Sequence, residues 1–342
     1  MATIHAALQS VVKYFNPSKA VRHTDDSRIS AIQYKGVFGV LVTCAILSGL
    51  QSWFSRIDCS KPDSSDFDKK YAEEWCYANS TFLVEDADGG LDIGNPHSRT
   101  VVGQFFLRYY QWVTLALVLQ AACFQAPRLL WKFAERGRVR KMVDRVANLE
   151  FASAQERTEA VKSLAKYYLD EDRRESHQNY FLCFASCQLL YLINVIVQIS
   201  FTQAFLHDAF LGMFPLWLQG SPSWNRVFPK RAQCSLVISG AAGNTQRQDV
   251  LCLLSMNVLF EKMYVLIWLV FAVALVSAIV QNLLVGMTIM SGSETSKDGK
   301  GKQYAQNLSD RLLLSFLEQS LDRAVYQELL REIDPEVRVA RV

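Results

Sequence analysis

Four long apolar segments constrain the fold of this chain more than any other feature. They cover residues 36–54, 105–126, 180–205 and 263–290, which are 19, 22, 26 and 28 residues long. A helix of about 20 residues crosses the roughly 30 Å hydrocarbon core of a bilayer. A helix in a soluble core seldom runs so far without an amphipathic stripe. The segments therefore predict an all-α membrane protein with four transmembrane helices, of which the two longest must tilt or project from the bilayer.

The overall composition agrees with a membrane protein. Of the 342 residues, 50% are apolar and 12% are aromatic, and the formal net charge of +3 does not point to nucleic acid. The first 20 residues lack the basic start, compact apolar core and cleavage site of a removable signal peptide, so we expect them to remain on the mature chain.

Basic residues in the connections predict the orientation. The middle connection, residues 127–179, carries 12 Lys and Arg, whereas residues 55–100 and 206–262 carry 5 each. Connections rich in Lys and Arg stay on the cytoplasmic side of a membrane. The middle connection and both termini, residues 1–35 and 291–342, are therefore predicted to be cytoplasmic. The loops at 55–104 and 206–262 are predicted to be extracellular.

The cytoplasmic parts also carry helical patterns. Residues 140–175 have apolar side chains at helical spacing, and the connection has no glycine after Gly137. After a polar linker, residues 304–333 repeat apolar side chains every three or four positions, which predicts one amphipathic helix that Pro335 ends. We expect a folded cytoplasmic helical domain. A helix on the membrane surface is the alternative, but the polar face is more acidic than basic.

The eight cysteines separate by predicted compartment. Cys59 and Cys76 fall in the first extracellular loop, and Cys234 and Cys252 in the second, where an oxidising environment favours disulfides. Three pairings of these four are open. The other four act as small apolar side chains within the spans: Cys44, Cys123, Cys183 and Cys187. Cys183 and Cys187 share a helix face, but zinc needs further ligands, so neither a metal site nor a cofactor is expected.

Polar side chains within the spans are costly in lipid, so we expect them to contact neighbouring helices. They are Gln111, Gln120, Gln188, Asn194, Gln198, Gln281 and Asn282.

Several motifs share the order and spacing of one family. The second span opens with Tyr109-Tyr110-Gln111-Trp112-Val113, whose aromatic rings also suit a membrane interface. Other matching motifs are Tyr34-Lys35, Ile57-Asp58-Cys59, Ser80-Thr81-Phe82, Pro127-Arg128, Trp131-Lys132, Val227-Phe228-Pro229-Lys230, Leu251-Cys252 and Glu261-Lys262. Together they resemble the innexins, the gap-junction proteins of invertebrates.

The resemblance implies a subunit of a gap-junction channel or hemichannel that passes ions and small molecules between adjacent cells. It implies a homo-oligomeric ring, octameric in the family pattern, that can also include other innexins. This ring would dock with the ring of an adjoining cell at plasma-membrane junctions. It also implies the disulfides Cys59–Cys252 and Cys76–Cys234. The start of the chain, including Met1, Ala2 and Ile4, would line the cytoplasmic mouth of the pore.

Two features depart from the family pattern. Cys183 is followed by Phe184 where many members have Glu, which makes the third span more apolar. The short C-terminal tail is typical of a compact insect member or of a copy carried by an insect virus.

Charge and glycosylation motifs lie in the first extracellular loop. Asp63, Asp66 and Asp68 would form rings of negative charge in an oligomer and favour cations in the outer vestibule, although interleaved lysines also fit an ordinary solvated surface. Asn79-Ser80-Thr81 is a glycosylation acceptor motif. A glycan there would obstruct docking.

Two alternative functions remain at this point. One is an undocked, pannexin-like channel of the plasma membrane, and the other is a non-conducting four-span adhesion protein. The long, helical middle connection disfavours adhesion proteins, which usually have short cytoplasmic loops. We expect no enzymatic activity, because the sequence has no phosphate-binding glycine loop and no HExxH motif.

Overall fold

The computed structural model of the chain describes residues 26–54, 57–60, 68–79, 81–86, 91–92, 101–147, 154–169, 180–219, 227–239, 243–295 and 308–333. Five residues predicted to face the pore or vestibule lie outside these ranges: Met1, Ala2, Ile4, Asp63 and Asp66. The chain separates into two compact units. The first contains residues 1–38, 123–196 and 274–342, and the second contains residues 39–122 and 197–273.

Helices dominate the described residues. A π-helical stretch, Ile32–Val37, leads into α1. In chain order the other elements are α1 (Phe38–Phe54), β1 (Asp58–Cys59), α2 (Lys69–Asn79), β2 (Thr81–Asp86), β3 (Leu91–Asp92), β4 (Val101–Leu107), α3 (Tyr109–Glu135), α4 (Arg138–Ala147), α5 (Ala154–Leu169), α6 (Tyr180–Phe205), α7 (Met213–Leu218), β5 (Arg231–Ser239), β6 (Thr245–Leu253), α8 (Ser255–Thr295), α9 (Leu308–Ser320) and α10 (Arg323–Ile333).

Four helices are long and apolar enough to cross a membrane, which confirms the predicted fold class of four membrane helices. They cover Ile32–Ser52, Tyr109–Glu135, Tyr180–Phe205 and Ser255–Met290. Between 39% and 44% of each apolar window is buried inside the chain. More than half of each span therefore remains available for lipid, for neighbouring subunits or for water.

Three of the spans differ from their predicted bounds. The first was predicted over residues 36–54, whereas the structure has it over Ile32–Ser52. The second span was predicted over residues 105–126, but Phe105, Phe106 and Leu107 belong to β4, and α3 runs through Pro127 to Glu135. The fourth was predicted over residues 263–290, whereas α8 runs from Ser255 to Thr295. Hydropathy alone merged the apolar end of a strand with the helix that follows it, because both are rich in apolar side chains.

A six-stranded antiparallel sheet in the second unit was not predicted. Its strand order is β1-β6-β5-β2-β3, and β4 pairs with β2. The β5–β6 hairpin runs in register from Arg231↔Leu253 to Ser239↔Thr245. Phe82 of β2 pairs with Gln233 of β5. Strands from the two predicted extracellular loops therefore form one sheet.

The helical core of the first unit is built around Trp131. Its ring centroid lies 5.3 Å from that of Tyr180, 5.2 Å from that of Phe184 and 6.5 Å from that of Phe316. Apolar side chains from four shorter helices complete this core: Val139 and Val143 of α4, Leu164 of α5, Leu313 of α9, and Leu329 of α10. The predicted helical domain is therefore a packed core and not a helix on a membrane surface.

The C-terminal amphipathic segment forms two helices where one was predicted over residues 304–333. α9 ends at Ser320 and α10 begins at Arg323. Leu317 and Leu329, on either side of the break, are both buried in the same core. The apolar period continues through the break because both helices bury one face, so the period does not reveal where the chain turns.

Replacing Phe316 by alanine tests this core. Phe316 is 3% exposed, so the Phe316→Ala change removes ring contacts with Trp131 and Phe184 and costs about 3–5 kcal/mol of local stability. Hydrogen–deuterium exchange of the purified protein should rise in α4, α5 and α10. The matched control is Phe133→Ala, because Phe133 is 77% exposed. Equal exchange in both variants would contradict the packed core.

Candidate functional site

Two disulfides cross-link the two loops of the second unit. Cys59 of β1 is bonded to Cys252 of β6, and Cys76 of α2 is bonded to Cys234 of β5. This is the pairing that the family resemblance implies. The bridges close sequence separations of 193 and 158 residues. Removing a native disulfide typically costs about 2–5 kcal/mol, in part because the unfolded chain regains the freedom of a long loop.

The two bridges lie close together in the fold. The sulfur atoms of Cys59, Cys76 and Cys252 lie within 4.8 Å of one another, and all three residues are buried. Such a cluster resembles a metal site, but these sulfurs are already bonded to other sulfurs. The cluster is therefore the covalent centre of the sheet and α2.

The first signature tyrosine joins α3 to the start of α8. The Tyr109 hydroxyl donates a hydrogen bond of 2.8 Å to Oδ1 of Asn257. Nδ2 of Asn257 donates in turn to the carbonyl oxygen of Pro229 at 2.6 Å. The Tyr109 ring also packs edge-on against Phe228, with 6.0 Å between centroids. One buried tyrosine thus holds a second helix and the chain that enters β5.

The next two signature residues bind the C-terminal end of α2. The Tyr110 ring lies 5.6 Å from that of Tyr77. Gln111 donates through Nε2 to the carbonyl oxygens of Tyr77 and Ala78. The last carbonyls of a helix have no partner within the helix, so Gln111 supplies one. The helix that carries Cys76 is thereby fixed to the start of α3.

The last two signature residues face opposite ways. Val113 is fully buried, whereas Trp112 is 56% exposed. An exposed tryptophan at the end of a membrane span suits the boundary between hydrocarbon and water. The signature therefore combines packing contacts, made by four residues, with an interfacial contact made by Trp112.

A charged hollow of about 380 Å³ lies beside the Cys59–Cys252 bridge and is lined in part by Asp58, Lys69 and Arg231. Lys69 Nζ lies 2.7 Å from an Asp58 carboxylate oxygen. This hydrogen bond and the charge of Asp58 raise the pKa of Lys69 above its usual value. The pair with Asp58 therefore favours the charged ammonium form that lysine already has at neutral pH.

Two sequence-predicted site residues lie at the ends of α2. Asp68 accepts a hydrogen bond from the backbone N–H of Lys70 at 3.0 Å through Oδ1, so it caps the helix start. Asn79 is the last residue of α2 and is exposed. Thr81 of the same acceptor motif is buried at the start of β2.

The first unit contains a buried ion pair that the sequence did not reveal. Arg128 of α3 lies 3.1 Å from a carboxylate oxygen of Asp26, and both residues are less than 10% exposed. The Arg128 guanidinium also lies 5.0 Å from the centre of the Tyr34 ring. Gln125 donates to the Tyr34 carbonyl oxygen at 2.7 Å. A charge in an apolar helix needs such a partner, and that need is the one signal the sequence offered.

Two serines of the same segment reach the other spans. Ser27 donates to Gln281 of α8 at 2.8 Å, and Ser30 donates to Gln188 of α6 at 2.7 Å. Asn282 of α8 donates to the Gln188 carbonyl oxygen at 3.1 Å. Residues 26–34, called the entry segment below, therefore hydrogen-bond to α3, α6 and α8. Three of the polar span residues singled out from the sequence take part in these contacts.

Replacing Tyr109 by phenylalanine tests the signature contacts. The change leaves Oδ1 of Asn257, a residue only 1% exposed, without its hydroxyl donor. We expect a loss of about 1–3 kcal/mol, measured as a lower midpoint of thermal unfolding in detergent with the disulfides intact. Tyr71→Phe is the matched control, because Tyr71 is 48% exposed and its loss should cost less than about 0.5 kcal/mol. Similar midpoints for both variants would refute the anchoring role.

Comparison with known proteins places these features in a family. The sequence model of the innexin family matches residues 26–336. Innexin inx4 of Anopheles gambiae is 32% identical over 273 residues, which cover 74% of this chain and 69% of that protein. Innexin inx3 of Drosophila melanogaster is 27% identical over 334 residues, covering 90% and 84%. Innexin inx2 of the same species is 27% identical and covers 91% of each chain. The chain therefore belongs to the innexin family, the gap-junction proteins that its motifs resemble.

Proposed function

We propose that the chain is a subunit of a gap-junction channel that passes ions and small molecules between adjacent cells. The observation that carries this proposal is the family match over residues 26–336 in a chain with four membrane helices and two loop-to-loop disulfides. Innexins are channel proteins, so we assign the chain a channel role, with no catalytic residue and no cofactor.

The proposed orientation places the disulfide-bonded loops outside the cell. Disulfides persist in oxidising compartments, which supports an extracellular position for Cys59, Cys76, Cys234 and Cys252. The 12 basic residues between positions 127 and 179 favour the cytoplasm for the middle connection. Both termini and the helical core around Trp131 then lie in the cytoplasm as well.

The proposed assembly is a ring of subunits, octameric by family resemblance and open to other innexins. Each span leaves more than half of its apolar window unburied within the chain. A ring uses such surface for contacts between subunits, for lipid and for a central aqueous pathway. We place the start of the chain, including Met1, Ala2 and Ile4, at the cytoplasmic mouth of this pathway.

Docking between rings of two cells is the proposed working state. The β5–β6 hairpin and α2 are cross-linked into one module, so two such modules can meet as rigid surfaces. The exposed side chain of Asn79 favours the alternative, an undocked pannexin-like channel, because a glycan there would keep two rings apart. A non-conducting adhesion protein is disfavoured, because the helical core joins the middle connection to the C-terminal segment.

Coupling between paired cells tests docking. Cell pairs in which both cells express the chain should show junctional conductance, and pairs with one expressing cell should not. The double variant Cys76→Ser, Cys234→Ser removes a bridge that holds α2 on the sheet, so we expect at least a tenfold loss of conductance. Cys123→Ser is the control, because Cys123 is a free thiol of α3. Currents in single cells without any coupling of pairs would favour the undocked channel.

Neutralising Asp63, Asp66 and Asp68 tests charge selectivity in the outer vestibule. The triple change to Asn should move the reversal potential under a salt gradient towards zero, because a wide pore selects by wall charge. Asn is as good a helix cap as Asp, so the start of α2 remains capped. The control neutralises three exposed acidic residues on the surface of the first unit: Glu159→Gln, Glu318→Gln and Asp322→Asn. An unchanged reversal potential in the triple variant would discard the proposal.

A further inference from the structure

A group of basic side chains surrounds the end of α3, where the chain turns into α4. Lys132, Arg136, Arg140 and Lys141 are all exposed, and we call them the basic corner. Residues 128–145 hold seven basic and two acidic residues, so the net charge of this stretch is 7 − 2 = +5. Apart from Arg128, which pairs with Asp26, these charges serve the proposed channel function only as part of the basic middle connection that sets the orientation.

The turn at the basic corner is fixed by Glu135. Arg136 and Gly137 both adopt left-handed backbone conformations, with φ of 53° and 70°. The Glu135 carboxylate accepts hydrogen bonds from the backbone N–H of Gly137 at 2.6 Å and of Val139 at 2.7 Å. Glu135 is itself only 3% exposed. The buried carboxylate therefore caps the start of α4 and sets its direction.

Packing of α4 forces the basic side chains outward. Val139, Met142 and Val143 are buried in the helical core, so the opposite face of α4 is exposed. Arg140 lies 3.4 Å from Asp144, in an exposed pair that contributes little to stability. Within the described part of the chain, Lys132, Arg136 and Lys141 form no ion pair. Three of the four charges are therefore available to a ligand.

The last two turns of α3 carry exposed apolar side chains next to the basic corner. Leu129 is 50% exposed, Leu130 is 51% exposed and Phe133 is 77% exposed. These residues end a helix that is long and apolar enough to cross a membrane. A change from exposed apolar to exposed basic side chains marks the level at which hydrocarbon gives way to headgroups. Lys132, between the apolar side chains, can extend its ammonium group to that level.

We propose that the basic corner binds the headgroups of anionic phospholipids in the leaflet that surrounds the end of α3. Lys and Arg clusters directly beside a membrane span attract anionic lipid, by roughly fivefold in affinity for each charge near the surface. A protein partner is less suited to this surface, because the charges continue a face that is apolar and exposed along α3. Lipid binding would hold α4, and with it the helical core, against the membrane.

The placement in the cytoplasmic leaflet rests on the orientation proposed above, whereas the binding does not. The test uses the full-length protein in neutral detergent micelles, titrated with fluorescent dioctanoyl phosphatidylserine and, separately, with the phosphatidylcholine analogue. We expect phosphatidylserine to bind at least tenfold more tightly. The quadruple variant Lys132→Gln, Arg136→Gln, Arg140→Gln and Lys141→Gln should lose at least tenfold in affinity for phosphatidylserine.

A second quadruple variant controls for total charge. It changes four exposed basic residues on the outer surfaces of α5 and α10 to Gln: Lys162, Lys166, Arg323 and Arg331. This variant should change the affinity for phosphatidylserine less than twofold. Equal losses in both variants would overturn the proposal, since binding would then follow net charge alone. The proposal would also be overturned if glycerophosphoserine, which has the headgroup but no acyl chains, bound as tightly as the lipid. The basic corner would then be a site for a free phosphate compound. If the basic-corner variant kept its affinity for phosphatidylserine but changed the number of subunits in the ring, the proposal would also be overturned. The basic corner would then contact a neighbouring subunit and not lipid. None of these outcomes depends on docking or conduction.

Discussion

The covalent links between the two loops are the constraint on which the second unit depends. The bridges place Cys59 beside Cys252 and Cys76 beside Cys234, so residues almost 200 positions apart share one sheet. A two-residue strand such as β1 has too few hydrogen bonds to persist alone. Once bonded, the sheet and α2 present fixed partners to the helices: the carbonyls of Tyr77 and Ala78 for Gln111, and that of Pro229 for Asn257. The signature at the start of α3 is built on these partners.

Sequence reasoning identified the helices and the compartments from local patterns, but it missed contacts between distant segments and one local break inside a continuous apolar period. The spans follow from hydropathy, and the separation of bonded from free cysteines follows from compartment. The sheet was missed because its decisive contacts, such as Phe82↔Gln233, join segments that no local pattern relates. The actual pairing of the cysteines came from family resemblance, since spacing alone left three choices. The break at Leu321 was missed because burial on both sides keeps the same apolar period.

The entry segment shows how polar residues specify a helix arrangement in an apolar environment. Taking a carboxylate and a guanidinium out of water is costly, so the pair of Asp26 and Arg128 adds little net stability. Leaving either partner alone would cost several kcal/mol, which excludes arrangements that separate them. The serine hydrogen bonds to Gln188 and Gln281 favour the same helix arrangement, and they do so without burying a charge. The segment that leads back towards the start of the chain is thereby tied to three spans at once.

The exposed face of α3 gives an independent measure of where the membrane ends. Trp112, at one end, is exposed and suits an interface, and Lys132 begins the basic corner at the other. They are 20 residues apart, and at 1.5 Å per residue this separation is about 30 Å along the helix axis. That length equals the thickness of a typical hydrocarbon core. Leu115, Val118, Leu119, Leu129 and Leu130 are exposed between these limits, as a lipid-facing surface requires. The same helix then continues to Glu135, whose carboxylate fixes the turn into α4. The proposed lipid site lies at this turn, because the exposed side chains of the basic corner surround it.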